Sequence, residues 1–118
     1  MTTISRPLTL LAAAGAVALL AACAGREPVK QEPANPAMLA RLDSLANHGC
    51  NEKLAGILQS RGVQPAQVQQ VGYVNDIRAG NSARLIGYYT YVTIEGQPGK
   101  TVVQFTSYCL PQQVFVQS

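Results

Sequence analysis

The chain has 118 residues, of which 47% are apolar and only 13% charged, and its formal net charge is +3. This length fits one small globular domain, and so slight a charge excess excludes the strong basic field that non-specific nucleic-acid binding requires. With one histidine and three cysteines, no spacing of His, Cys and carboxylates supplies the convergent ligands of a metal centre.

Residues 1–7 carry one positive charge, Arg6; residues 8–22 carry none, and small residues crowd the end of that apolar run. This is the layout of an export signal. A spanning helix takes about 20 apolar residues, and Arg26, Glu27 and Lys30 arrive too soon for one. Residues 1–22 are therefore read as a signal peptide and set apart from the fold. Removing them leaves a net charge of +2, because Arg6 is the leader's only charged residue.

The leader ends in Leu20-Ala21-Ala22-Cys23. Here the chain resembles the bacterial lipoproteins, whose cleavage motif has Leu, two small residues and a lipidated Cys. The resemblance is confined to the leader and this motif. It implies that the Cys23 thiol takes a diacylglyceryl group, that cleavage falls before Cys23, and that the new amino terminus is acylated with a fatty acid such as palmitate. Two or more chains anchor a protein stably, at about 0.8 kcal/mol per buried CH₂. In that class the residue after the Cys guides sorting, and Ala24 is not the Asp that retains a lipoprotein in the inner membrane. The expected location is the periplasmic face of the outer membrane. The alternative is ordinary cleavage after residue 24, since residues 22–24 also read as small-x-small; that would release a soluble periplasmic protein.

With Cys23 given to lipid, Cys50 and Cys109 remain as an even pair in an oxidising compartment, and a disulfide between them is expected. It would close a loop of about 60 residues, to which the chain-entropy model assigns about 4 kcal/mol. No Cys-x-x-Cys spacing occurs to support a redox role.

Residues 23–35 read as the lipidated Cys and a flexible tether, with prolines at 28 and 33, alternating charges and Val29 as the single larger apolar residue. Fully extended, it would reach about 35 Å. Asn35-Pro36 then predicts a helix N-cap with proline at the first helical position. Met38, Leu39, Leu42, Leu45 and Ala46 recur at helical spacing. Gly49 is the expected left-handed stop, with His48 a favourable dipole partner of the helix end. A second helix is predicted over about 50–61, its apolar stripe being Cys50, Leu54, Ile57 and Leu58. Gly62-Val63 should close it in a Schellman motif.

From Gln67 the apolar period becomes two. Strands are predicted at about 68–78, 84–95 and 101–110, with an extension through Val114 and Val116, joined by turns at Gly80-Asn81-Ser82 and Gly96-Gln97-Pro98-Gly99. Placing Glu95 opposite Lys100 sets Val92 against Val103, Thr90 against Phe105 and Ile86 against Cys109. Val71, Tyr73 and Ile77 complete that apolar face. The fold class is α+β: two short N-terminal helices packed on one face of a three- to four-stranded antiparallel meander sheet, in a domain spanning residues 36–118.

The other face displays Val74, Tyr89, Tyr91, Thr93, Val102, Gln104, Thr106 and Tyr108, with Gly72 and Gly87 among them. Tyr89, Tyr91, Gln104 and Tyr108 form the candidate binding face, since tyrosine gives large contact area with few rotors. The competing reading is that these aromatics only stabilise the sheet, Tyr108 covering Gly87. Glu52, Asp76 and Glu95 are scattered, Arg78 and Arg84 read as solvated hairpin-edge charges, and neither a Gly-x-Ser-x-Gly elbow nor a phosphate-binding glycine loop occurs. No catalytic residue, cofactor or metal is expected, and the chain is not read as an enzyme. The sequence points instead to a lipid-anchored periplasmic module, interactive or structural, with the membrane and an envelope protein as partners and no nucleic acid. The alternative is a small-ligand carrier whose pocket, between helices and sheet, is lined by Leu42, Ile57, Tyr73 and Phe105.

Overall fold

The computed structural model describes residues 28–78, 80 and 83–118. Residues 1–22, expected to be a signal peptide, Cys23 with its motif, and Asn81-Ser82 of the first hairpin turn lie outside the described residues.

Helix α1 (Pro36–Leu45) begins as its cap residues dictate, with Asn35 Oδ1 accepting from the Ala37 N–H at 2.8 Å and Pro36 at the first turn. Its end differs from the glycine stop expected. Ala46 is extended, with φ −159°, and Gly49 is not among the glycines with positive φ. The Asn51 side chain supplies what a left-handed cap would have supplied, its Nδ2 donating to the Ala46 carbonyl at 2.6 Å. Helix α2 (Asn51–Ser60) closes in the expected Schellman motif: the Val63 N–H reaches Leu58 O at 3.1 Å, the Gly62 N–H reaches Gln59 O at 3.0 Å, and Gly62 has φ +79°.

A single 3₁₀ turn, Pro65–Gln67, leads into four strands, β1 (Val68–Arg78), β2 (Arg84–Ile94), β3 (Lys100–Thr106) and β4 (Pro111–Gln117). They form one antiparallel sheet in the order β1-β2-β3-β4, so the molecule is a mixed α+β fold. Two expectations need correction. The β2–β3 register places Thr90 opposite Val103 and Tyr88 opposite Phe105, two residues from the pairing inferred from Glu95 and Lys100. Residues 95–99 all belong to the connection, with Gly96 and Gly99 at φ +81° and +78°. A slip of two preserves which side chains share a face, so Thr90, Val92, Val103 and Phe105 still lie together. The third strand stops at Thr106, and residues 107–110 reverse the chain into β4. Cys109 therefore sits in a turn and does not pair with Ile86.

Met38, Leu42, Leu54, Ile57 and Leu58 of the helices share one buried cluster with Val68, Val92, Val103 and Phe105 of the strands. Ile77, expected on this face, is 54% exposed, beyond a register irregularity between Asp76 and Ile77. The disulfide joins Cys50 to Cys109, with Cα atoms 5.1 Å apart across 59 residues of sequence. It fastens the start of α2 to the β3–β4 turn.

The supposed tether is a docked strap over its described part. The Glu32 N–H donates to Gly56 O at 3.1 Å, Ser60 Oγ to Lys30 O at 2.9 Å and Gln59 Nε2 to Pro33 O at 3.0 Å. Gly56 makes room for it: a Cβ there would fall on the Glu32 carbonyl oxygen. Among the described residues, no helix is long and apolar enough to cross a membrane.

Candidate interaction face and histidine cluster

Strand alternation sorts the sheet's side chains into two sets. The set opposite the core residues forms two rows across the strands. In one, Val74 lies opposite Tyr89, Tyr89 opposite Gln104 and Gln104 opposite Gln113. In the other, Gly72, Tyr91, Val102 and Phe115 follow one another in the same way.

The first row is polar and connected. Gln113 Nε2 donates to Gln104 Oε1 at 2.7 Å, and Gln104 Nε2 lies 3.5 Å from the Tyr89 hydroxyl. Linking the amides fixes their orientation, since each has one donating and one accepting end. The second row is apolar: Val102 is buried between its neighbours, whereas Phe115 is 40% exposed. Tyr89 and Tyr91 are half-buried, so part of each stays in solvent.

Three of the four residues expected on this face therefore come together: Tyr89, Tyr91 and Gln104. Tyr108 does not. It stands in the β3–β4 turn, 86% exposed, and the residue opposite Gly87 is Thr106. Gln113 and Phe115 also belong to this face; alternation alone does not place them there, because it reads residues through 116 as an extension of the third strand. Pro111 was the available signal, since proline in a sheet belongs at the start of a strand or at an edge.

On the core side, His48 is more than a helix-end charge. Its imidazole stacks on the Tyr73 ring at 3.7 Å with 7° between planes, and meets Tyr88 edge-on at 4.5 Å. The Cys50 N–H donates to His48 Nδ1 at 3.0 Å, which requires that nitrogen to be unprotonated. Burial lowers the His48 pKa and so favours the same neutral form. Tyr73 in turn donates from its hydroxyl to Asn51 Oδ1 at 2.7 Å, and Asn51 Nδ2 donates to Asp43 Oδ1 at 2.8 Å. Burial also raises the Tyr73 phenol above the usual tyrosine range. The cluster ties the start of α2 to β1 and β2 beside the disulfide. Among the described residues, no three His, Cys, Asp or Glu side chains converge to hold a metal ion.

Of the residues expected to line a carrier pocket, Leu42 and Phe105 are closed within the core, and Tyr73 is engaged with His48 and Asn51. Ile57 borders a groove of about 580 Å³, bounded by residues 28–30, the end of α2 and β4. Comparison with family models, with curated proteins and with solved structures finds no match to this chain.

Proposed function

We propose that the protein is a lipid-anchored interaction module of the bacterial envelope, held through Cys23 at the periplasmic face of the outer membrane. In this reading the two helices cover one face of the sheet and leave the other to a protein partner. The observation that carries it is the pair of rows on the face opposite the core residues, Tyr89–Gln104–Gln113 beside Tyr91–Val102–Phe115. Half-buried tyrosines and linked amides offer contact area and hydrogen bonds whose loss of freedom is already met in the free protein. The module binds and does not catalyse, and it needs no cofactor.

The test is photo-crosslinking in living cells with a reactive residue at position 91 and a control at Lys53, which is exposed on α2. A discrete product at 91 alone is expected, and in the chain without the photo-reactive residue Tyr89→Ala with Tyr91→Ala should abolish co-purification of that partner while the melting curve stays unchanged. Equal products at both positions, or none at 91, would remove the face from consideration. The anchor has its own test: the amino-terminal peptide of membrane-extracted protein should carry the mass of an acylated diacylglyceryl-cysteine.

A further inference from the structure

β1 and β4 are the two edges of the sheet, and they are defended differently. β1 carries Asp76 and Arg78 and two register irregularities, features that discourage another strand from pairing. β4, Pro111-Gln112-Gln113-Val114-Phe115-Val116-Gln117, has no charged residue, and its single proline is at its first position. Its only register irregularity lies at that same end. Seven uncharged residues at a sheet edge invite a further strand.

The groove beside β4 has a particular chemistry. Val29, Ile57 and Val114 give it an apolar lining continuous with the core, and Lys30 and Arg61 supply two cations with no acidic side chain among the lining residues. Both cations are exposed. The strap that forms one wall is held in place by the Lys30 carbonyl on Ser60 and by Glu32 on Gly56, so the groove exists before anything enters it.

From these features we propose that β4 receives an extended acidic segment of a partner protein as a fifth strand, with the segment's apolar side chains against Val29 and Val114 and its carboxylates toward Lys30 and Arg61. Main-chain pairing with β4 gives the affinity, and the two cations select for charge. A second copy of the chain fits less well, because its own β4 brings no acid to meet the two cations. This site uses the outer edge of β4 and meets the Tyr89–Tyr91 face at Gln113, and the two are tested by separate residues.

The test uses the processed chain purified from cells and three heptapeptides: alternating Glu and Val, the same with Lys for Glu, and the acidic one with three consecutive central amides N-methylated. The acidic peptide should bind at least about tenfold more tightly than the lysine version. It should move the amide resonances of Gln112, Val114 and Val116, and the N-methylated version should not bind. Lys30→Glu with Arg61→Glu, two exposed substitutions, should reverse the charge preference. Equal affinity for acidic and basic peptides, undiminished binding after N-methylation, or shifts confined to Tyr89 and Tyr91 would each overturn the proposal. So would a dimeric mass by light scattering with β4 amides protected in the absence of peptide, which would assign the edge to a second copy.

Discussion

Among the described non-glycine residues, Cys109 alone has a positive φ, 64°. Its N–H reaches Thr106 O at 3.0 Å and Thr106 N–H reaches Leu110 O at 2.9 Å, which makes residues 107–109 a three-residue hairpin loop. The third position of such a loop is left-handed and ordinarily belongs to glycine. A side chain there costs about 1–2 kcal/mol, and the bond to Cys50 keeps one in place. In a Cys50→Ala background, Cys109→Gly should therefore be more stable than Cys109→Ala by about 1 kcal/mol in denaturant unfolding, despite glycine's freer unfolded chain. The opposite order would mean that the turn relaxes once the bridge is gone. At His48 the consequence is pH dependence. Burial lowers its pKa below the ordinary 6.5, so the unfolded chain takes up the proton first. The stabilisation is whole above about pH 6.5 and is lost as pH falls from there toward the lowered folded-state value. Protonation would also set a hydrogen on Nδ1, where the Cys50 N–H already points. Urea midpoints should fall between about pH 7.5 and 5.5, and His48→Phe, which keeps a ring on Tyr73 without a titrating nitrogen, should flatten that slope. An unchanged slope would show that His48 is not its source.

Elements were legible where a local chemical signal marks them. Asn35-Pro36 opens α1, Gly62-Val63 closes α2, and alternation locates β1 and β2 to within a residue. Alternation also placed Tyr89, Tyr91 and Gln104 on one face even though the register was two residues out, since parity survives an even slip. The break between β3 and β4 was only faintly marked: Ser107 and Pro111 are its turn signals, and a disulfided cysteine fills the position where glycine is read. Tyr108 was misplaced for that reason. The strap was hidden by its composition: prolines and charges read as a tether, while its hydrogen bonds run from its backbone to scattered groups of α2 and leave no pattern in the sequence. The one trace is Gly56, a glycine inside α2, where alanine would ordinarily favour the helix by about 1 kcal/mol. Gly56→Ala should nevertheless displace the strap, because the added Cβ meets the Glu32 carbonyl. The expected result is loss of exchange protection at the Glu32 amide and faster tryptic cleavage after Lys30, with α2 amides still protected. A more stable protein with Glu32 protection intact would show that the strap yields without detaching.

At the scale of the molecule, one cluster of buried residues must hold ten-residue helices to a four-stranded sheet. A domain of this size buries a smaller fraction of its surface than larger ones do, and its net stability is only about 0.05–0.15 kcal/mol per residue. The Cys50–Cys109 bridge closes a loop that spans α2, β1, β2 and β3. Confining that much unfolded chain is worth about 4 kcal/mol, a large share of such a total. The bridge also lies beside the His48–Tyr73–Tyr88 stack, so losing it removes a clamp at the same end of α2. Cys50→Ala with Cys109→Ala should lower the unfolding free energy by about 4 kcal/mol. Adding reductant to the native chain should reproduce that loss, and adding it to the double variant should change nothing. If the variant loses less than about 1 kcal/mol, the unfolded chain already holds the two ends together, and helix–sheet packing alone supports the fold. A loss near the full value would make folding conditional on an oxidising compartment.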